Sequence, residues 1–246
     1  MTTLAIDRLV KAFPSKEGVN TVLDHLSMRM SGNEFVSLVG PSGCGKSTLL
    51  NIVAGVEPPT DGSVSLLADD GRPARLGYVF QEPRLLPWRT IMQNMLYVVD
   101  DRSKSSKDRA MHYLQMVGLE KTADLFPHQL SGGMQQRAGI ARAFSVEPDF
   151  LIMDEPFSHL DAITARGLRE ELSTLWMADK RMILFVTHDV MEAVQLSDRI
   201  IMLEPGGRIR ADIPIQVERP RRQSDPHFAM VQADVLQKLE EMSART

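Results

Sequence analysis

Apolar and polar positions alternate through the first thirty residues, with Leu4, Ile6 and Leu9, then Val22, Leu23, Leu26, Met28 and Met30 forming the apolar set. Alternation sends successive side chains to opposite faces, so this stretch predicts short antiparallel strands joined by the turn-rich FPSKEGVN, residues 13–20. The pattern changes at FVSLV, residues 35–39, a continuous apolar run that reads as a buried strand. A glycine-rich turn and the helix-competent LLNIVAG follow it. Pro58, Pro59 and Gly62 then break the chain before another strand, and LGYVF, residues 76–80, forms a short buried one ending at Gln81.

From Ile91 to Phe144 the period becomes helical: IMQNMLYVV, a polar break DDRSKSSKD that reads as a solvated loop, then RAMHYLQMVGL ending at Gly118. Two more apolar runs, FLIMD at 150–154 and MILFV at 182–186, predict buried parallel strands. A Pro-Gly-Gly turn at 205–207, the basic stretch ERPRRQ, and a final helix complete the chain. Asp225 and Pro226 cap that helix, and Phe228, Val231, Val235, Leu236 and Leu239 are its apolar face. The sum is an α/β fold: a mostly parallel sheet flanked by helices, an antiparallel β subdomain and an inserted α-helical subdomain. Residues 1–246 read as a single domain. Residues 1–90 and 145–220 carry mainly the β subdomain and core, 91–144 the helical subdomain and 221–246 the C-terminal helix.

Composition narrows the class. With 246 residues, 43% hydrophobic and 24% charged, the chain has enough material for one α/β core with a subdomain. A net charge of −4 gives no electrostatic case for nucleic acid. No apolar stretch approaches the roughly 20 residues that cross a bilayer, and MTTLAIDRLVKAF lacks the apolar core of a signal peptide, so the expectation is a cytosolic chain whose membrane role needs a partner. The six histidines show no metal-ligand spacing. Cys44 is the one cysteine, which precludes an intrachain disulfide; alkylating it is expected to obstruct its neighbours sterically.

Those neighbours carry the chemistry. GPSGCGKST, comprising Gly40, Pro41, Ser42, Gly43, Cys44, Gly45, Lys46, Ser47 and Thr48, follows a strand and opens a helix, the setting of a phosphate-binding P-loop. Its glycines let backbone amides turn toward phosphate oxygens, Lys46 is a mobile charge for the β- and γ-phosphates, and Ser47 offers a hydroxyl to Mg²⁺. In LSGGMQQR, Ser131 is a good N-cap, and Gly132 and Gly133 expose amides at a second helix start suited to phosphate. Asp154, ending its apolar strand, is placed to hold Mg²⁺, and Glu155 to act as general base on an attacking water. Gln81 is a candidate for Mg²⁺ and water contact at a strand's C-terminal end, and His188 for the γ-phosphate. Phe13 is either a core residue or an adenine-stacking one.

Taken in order, GPSGCGKST, Gln81, LSGGMQQR, FLIMDEP, SHLD (158–161) and His188 resemble the ATP-binding subunit of ABC transporters, over nearly the whole chain. The resemblance implies a P-loop NTPase core that binds ATP and Mg²⁺. It also implies two subunits joined head to tail, with Ser131, Gly132 and Gly133 of one capping the γ-phosphate held by Lys46 of the other. It favours Phe13 for adenine stacking, although Tyr is commoner there, and gives Asp161 the task of coupling the two sites. His159 departs from the usual SALD. One chain alone is then expected to bind ATP and hydrolyse it poorly. FQEPRLLPW and ERPR look like the nitrate, sulfonate and taurine importer group, implying a separate membrane permease, a solute-binding protein and a place on the cytoplasmic face of the inner membrane. Leu85, Leu86 and Trp88 then either receive a permease helix or close the helical subdomain's core. A soluble ATPase acting on DNA or ribosomes is the competing reading. A single module, no heptad run and an acidic balance weigh against it, and no nucleic acid is expected.

Overall fold

The computed structural model describes residues 1–15, 18–99 and 103–243. The chain forms two compact units, Met1–Ala74 with Arg181–Thr246, and Arg75–Lys180. The first unit begins with β1 (Thr3–Ser15) and β2 (Gly18–Ser31), an antiparallel pair, with β4 (Asp61–Leu67) antiparallel on the other side of β1. The strands are long, where the alternation predicts short ones. The reason lies in register irregularities between Ile6 and Leu9, where Arg8 takes a φ of +43°. A bulge lets Ile6 and Leu9, three positions apart, both point inward, so the alternation is interrupted while the strand continues. Lys16 and Glu17 of the expected turn lie outside the described residues.

The same unit holds β3 (Phe35–Val39), with β7 (Met182–Val186) parallel on one side and β8 (Arg199–Glu204) parallel on the other. β9 (Arg208–Pro214) runs antiparallel to β8. All five side chains of β3 and all five of β7 are buried, as parallel strands covered on both faces require. α1 (Lys46–Val53) follows β3, and α6 (Val190–Leu196) packs on β3 and on α7 (Pro226–Ser243). Asp225 caps α7 by accepting from the His227 amide at 2.9 Å. Phe228 and Val235 are buried in a cluster with Val39, Val194 and Met202, and Val231 and Leu239 pack against it. Leu236, expected on the same face, is exposed: it follows Val235 by about 100° of helix turn, so only one of the two meets the core.

The basic stretch ERPRRQ is partly structural. Arg221 is buried and donates to the carbonyls of Val217, Val194, Ser197 and Ile215. Burial, with Arg219 nearby, lowers its pKa to about 10.

In the second unit β5 (Leu76–Val79) pairs in parallel with β6 (Phe150–Asp154). Among the described residues it also holds the α-helices α2 (Ile91–Met95), α3 (Lys104–Met116), α4 (Gly132–Ser145) and α5 (Ala162–Ala178). α4 packs on the other three and on β5. The polar break expected as a loop is partly helical. Ser103 caps α3 by accepting from the Ser106 amide at 3.3 Å, which starts the helix inside the charged run. Residues 100–102 of that run lie outside the described ones.

Candidate functional site

Gly40 to Gly45 link β3 to α1. A Cβ on Gly40 would lie 2.4 Å from the Leu203 carbonyl oxygen, and Gly43 and Gly45 have φ of +80° and +102°, so the loop's path depends on glycine. α1 starts without a side-chain cap and without an acidic residue in its first turn, leaving its first amides available to an anion. Ser42, Gly43 and Ser47 are exposed, while Pro41 and Thr48 are half-buried. Lys46 is held rather than mobile: its Nζ donates to the carbonyls of Gly40 at 2.8 Å and Pro41 at 3.0 Å. Cys44 is buried beside that lysine, its Sγ 3.9 Å from the Lys46 Nζ: the residue is 1% exposed and burial pushes the thiol's pKa up, so alkylation requires the loop to open.

β7 runs parallel to β3 with Val186 opposite Leu38, so His188 and Gly40 each lie two residues beyond that pair at the same edge. His188 is exposed there. Its neighbours are fixed: Thr187 donates to the buried Glu192 carboxylate at 2.6 Å, and Asp189 caps α6 by accepting from the Met191 amide at 2.7 Å. Also in this unit, Phe13 sits opposite Asn20 in the hairpin. It is 37% exposed, with the Lys11 ammonium 4.7 Å from its ring centroid, so it is a surface ring and not a core residue.

The second unit carries the acidic pair. Asp154 ends β6 and Glu155 follows at a φ of +43°, an uncommon conformation for a residue with a side chain. The Glu155 carbonyl accepts from the Ser158 amide at 3.2 Å and its hydroxyl at 3.0 Å. Gln81 donates its amide nitrogen to the same Ser158 hydroxyl at 3.1 Å, leaving the amide oxygen as its remaining acceptor. Ser158 therefore ties the strand end after β5 to the turn that holds Glu155. Gln81, Gly132 and His159 line one cavity of about 250 Å³.

Ser131 caps α4, accepting from the Met134 amide at 3.3 Å. A Cβ on Gly132 would meet nothing within 4 Å, whereas one on Gly133 would lie 2.4 Å from Thr164 Cγ2. The two glycines thus serve different ends, one open to a ligand and one packed on α5. Asp161 caps α5 with bonds from the amides of Ile163 and Thr164, and from the Thr164 hydroxyl at 2.7 Å. That hydroxyl, with the amides, lowers its pKa.

Two features of this unit escape the sequence reading. Tyr78 on β5 is half-buried, and burial, with the charge of Asp154, raises its hydroxyl's pKa. Its signal was slight, a polar-tipped aromatic in the run LGYVF. Asn94 is 1% exposed and binds Leu86 through both backbone groups, and Arg89 and Thr90 through their carbonyls. The loop so held presents Trp88 at 70% exposure, which excludes a core role for that side chain. A larger cavity of about 720 Å³ is lined by residues including Tyr78, Phe80, Arg84, Leu86, Tyr97 and Arg142.

In the first unit Ser47, and in the second Asp154 and Gln81, carry side-chain oxygens of the kind that suit Mg²⁺. Among the described residues no group of three His, Cys, Asp or Glu could hold a metal ion alone. Mg²⁺ carried in on nucleotide phosphates, with one carboxylate from the protein, fits that donor set. Among the described residues no helix is long and apolar enough to cross a membrane.

Residues 23–158 match the family model described as ABC transporter. The aliphatic sulfonates import ATP-binding protein SsuB of Granulibacter bethesdensis is 43% identical over 219 residues, covering 89% of this chain and 88% of that protein. The bicarbonate transport ATP-binding protein CmpD of a Synechocystis species is 42% identical over 228 residues, 89% of this chain and 80% of that protein. Among solved structures, a dimeric ATP-binding cassette in a post-hydrolysis state bound to ADP and Pi is similar with a TM-score of 0.74 and 32% identity, over 87% of this chain and 100% of that one.

Proposed function

The chain belongs to the ATP-binding subunits of ABC transporters, ATPases with a P-loop NTPase fold, and on that premise we propose that it powers uptake of a small anion through a separate membrane permease. The relatives named for sulfonates and for bicarbonate support an anion, with sulfonate, taurine or nitrate as the solutes to test first. A periplasmic or lipoprotein solute-binding protein would select it outside the membrane, with this subunit on the cytoplasmic face. In this reading the whole chain is one ATPase domain and residues 91–144 are its helical subdomain.

The observation that carries the proposal is two open, glycine-led helix starts in one chain, Gly43–Lys46 and Ser131–Gly133. One nucleotide's phosphates need one such end to be cradled. A second suits a head-to-tail pair, in which Ser131, Gly132 and Gly133 of one copy face the γ-phosphate held by Lys46 of the other. The amides of Ser42 through Thr48 and the Lys46 ammonium bind the phosphates, and Phe13 stacks on adenine. Ser47, Asp154 and Gln81 would hold Mg²⁺, which when bound would neutralise charge on the phosphate oxygens. Glu155 accepts a proton from the water as its oxygen bonds to the γ-phosphorus, and the bond to the bridging oxygen breaks toward ADP. His188 orients the γ-phosphate, and Asp161 couples the two sites through the start of α5. ATP binding favours the closed pair, and hydrolysis releases it, so differential affinity for the closed state drives the permease.

Glu155→Gln tests the assignment. ATP binding is expected to persist while turnover falls by about 10²–10⁴-fold and a dimer accumulates with ATP in size-exclusion chromatography. Near-normal hydrolysis would remove Glu155 from the role of base.

A further inference from the structure

Lys11 and Phe13 are two apart near the end of β1, and the ammonium of the first lies over the ring of the second, 4.7 Å from its centroid. The Lys11 side chain is 9% exposed, uncommon for a lysine, and its charge is paired: Nζ donates to the Glu57 carboxylate and, at 2.8 Å, to the Pro58 carbonyl. An ammonium has three N–H donors; two are taken by these oxygens, and the ring face receives the rest of the charge. Glu57 and Pro58 follow directly on α1, where the amides of Val56 and Glu57 donate to the Asn51 carbonyl at 2.9 and 3.2 Å. The same segment is joined to β1 twice more. Thr60 donates its amide to the Val10 carbonyl at 2.8 Å, and its hydroxyl accepts from the Ala12 amide at 3.0 Å. The end of β1 is thereby fixed to the far end of the helix that the P-loop opens.

A phenylalanine has no polar atom by which to fix its ring, so the plane of the ring is set by what lies on its faces. At Phe13 an anchored ammonium lies over the ring, and the residue remains 37% exposed. We propose that Lys11 is a positioning residue for the adenine: held by Glu57 and Pro58, its ammonium covers one face of the Phe13 ring and keeps the other turned toward the base, at a fixed place relative to α1. A ring ordered in advance loses little freedom when the base stacks on it, and that saving appears as affinity. The inference rests on the reading of Phe13 as the adenine-stacking residue.

Binding is measured on the full chain with Mg²⁺ present, using a non-hydrolysable ATP analogue and inorganic triphosphate, which carries the phosphates without the base. Lys11→Met keeps the stem and removes the charge; Glu57→Gln is added so that no carboxylate is left without its cation. The double variant is expected to bind the analogue about 5-fold more weakly and inorganic triphosphate as the unmodified protein does. Phe13→Ala should weaken analogue binding further, and adding the other two substitutions to it should cost nothing more, because they act through the ring. If Phe13→Ala lowers the analogue's affinity and the double variant matches the unmodified protein, the positioning role is overturned and the stacking role stands. If Phe13→Ala leaves that affinity intact, both fall. Equal losses for the two ligands in the double variant would show an effect on the P-loop and would also overturn the proposal. Without any substitution, the Lys11 ε-methylene protons should be shifted upfield by the Phe13 ring current in nuclear magnetic resonance spectra, with and without nucleotide. Ordinary lysine shifts there would overturn it as well.

Discussion

Gly132 and Gly133 share a motif and differ by one position, yet their surroundings assign them different work. The space beside Gly132 is empty to 4 Å, so a methyl there meets no protein atom and only a ligand arriving at the helix start would feel it. A methyl at Gly133 runs into Thr164 Cγ2 at 2.4 Å, and the Thr164 side chain cannot rotate away without giving up its hydroxyl's bond to Asp161. Gly133→Ala is therefore expected to destabilise the fold by about 1–3 kcal/mol in urea unfolding. Adding Thr164→Ser, which deletes the offending methyl and keeps the hydroxyl, should restore most of it. Gly132→Ala should leave the midpoint alone and weaken ATP-dependent pairing of subunits. The motif alone shows two glycines before a helix; the partner that distinguishes them is thirty-one positions away and becomes visible only once α4 meets α5. The same limit applies to Cys44, whose place inside the loop is plain from sequence and whose burial is not.

At the level of elements, what was legible follows from how local the cause is. FVSLV, FLIMD and MILFV are continuous apolar runs, and each forms a strand at the expected place, because burial on both faces leaves no other pattern for them. β1 and β2 are longer than expected because a bulge breaks the alternation without ending the strand. α3 starts early because a single serine caps it against an unfavourable charged run. The loop at 86–90 is hardest to foresee, since its order comes from one side chain on the following helix. Asn94→Ala would take from the Leu86 amide and the Arg89 carbonyl the side-chain partner they have at this buried position, while the Leu86 and Thr90 carbonyls keep backbone bonds. The expected cost is about 1–3 kcal/mol, with faster amide exchange confined to residues 86–90 and unchanged ATP affinity. A loss of ATP affinity equal to the loss of stability would mean that the loop is not an independent element.

For the molecule as a whole, the question is what a fixed loop gains by holding a tryptophan in water. Trp88 is 70% exposed and Tyr97 56%, and the guanidinium of Arg89, next to Trp88, lies 5.2 Å from the Tyr97 ring centroid. Exposed large aromatics on an ordered backbone lose little entropy on docking, and tryptophan is enriched among residues that carry interface energy. A subunit with no helix able to cross the membrane, among its described residues, can drive transport only by pulling on a protein that does. Trp88 is accordingly the residue we propose for the permease contact. Its replacement by serine should leave nucleotide binding and the basal ATPase rate of the isolated subunit unchanged, because the side chain is 70% exposed. Assembly with the permease should weaken by about 2 kcal/mol, roughly thirtyfold, and solute uptake in reconstituted vesicles should fall with it. Uptake that survives the substitution would move the permease contact elsewhere on the subunit. A fall in the isolated ATPase rate would instead tie the loop to the nucleotide, through Gln81 at its beginning.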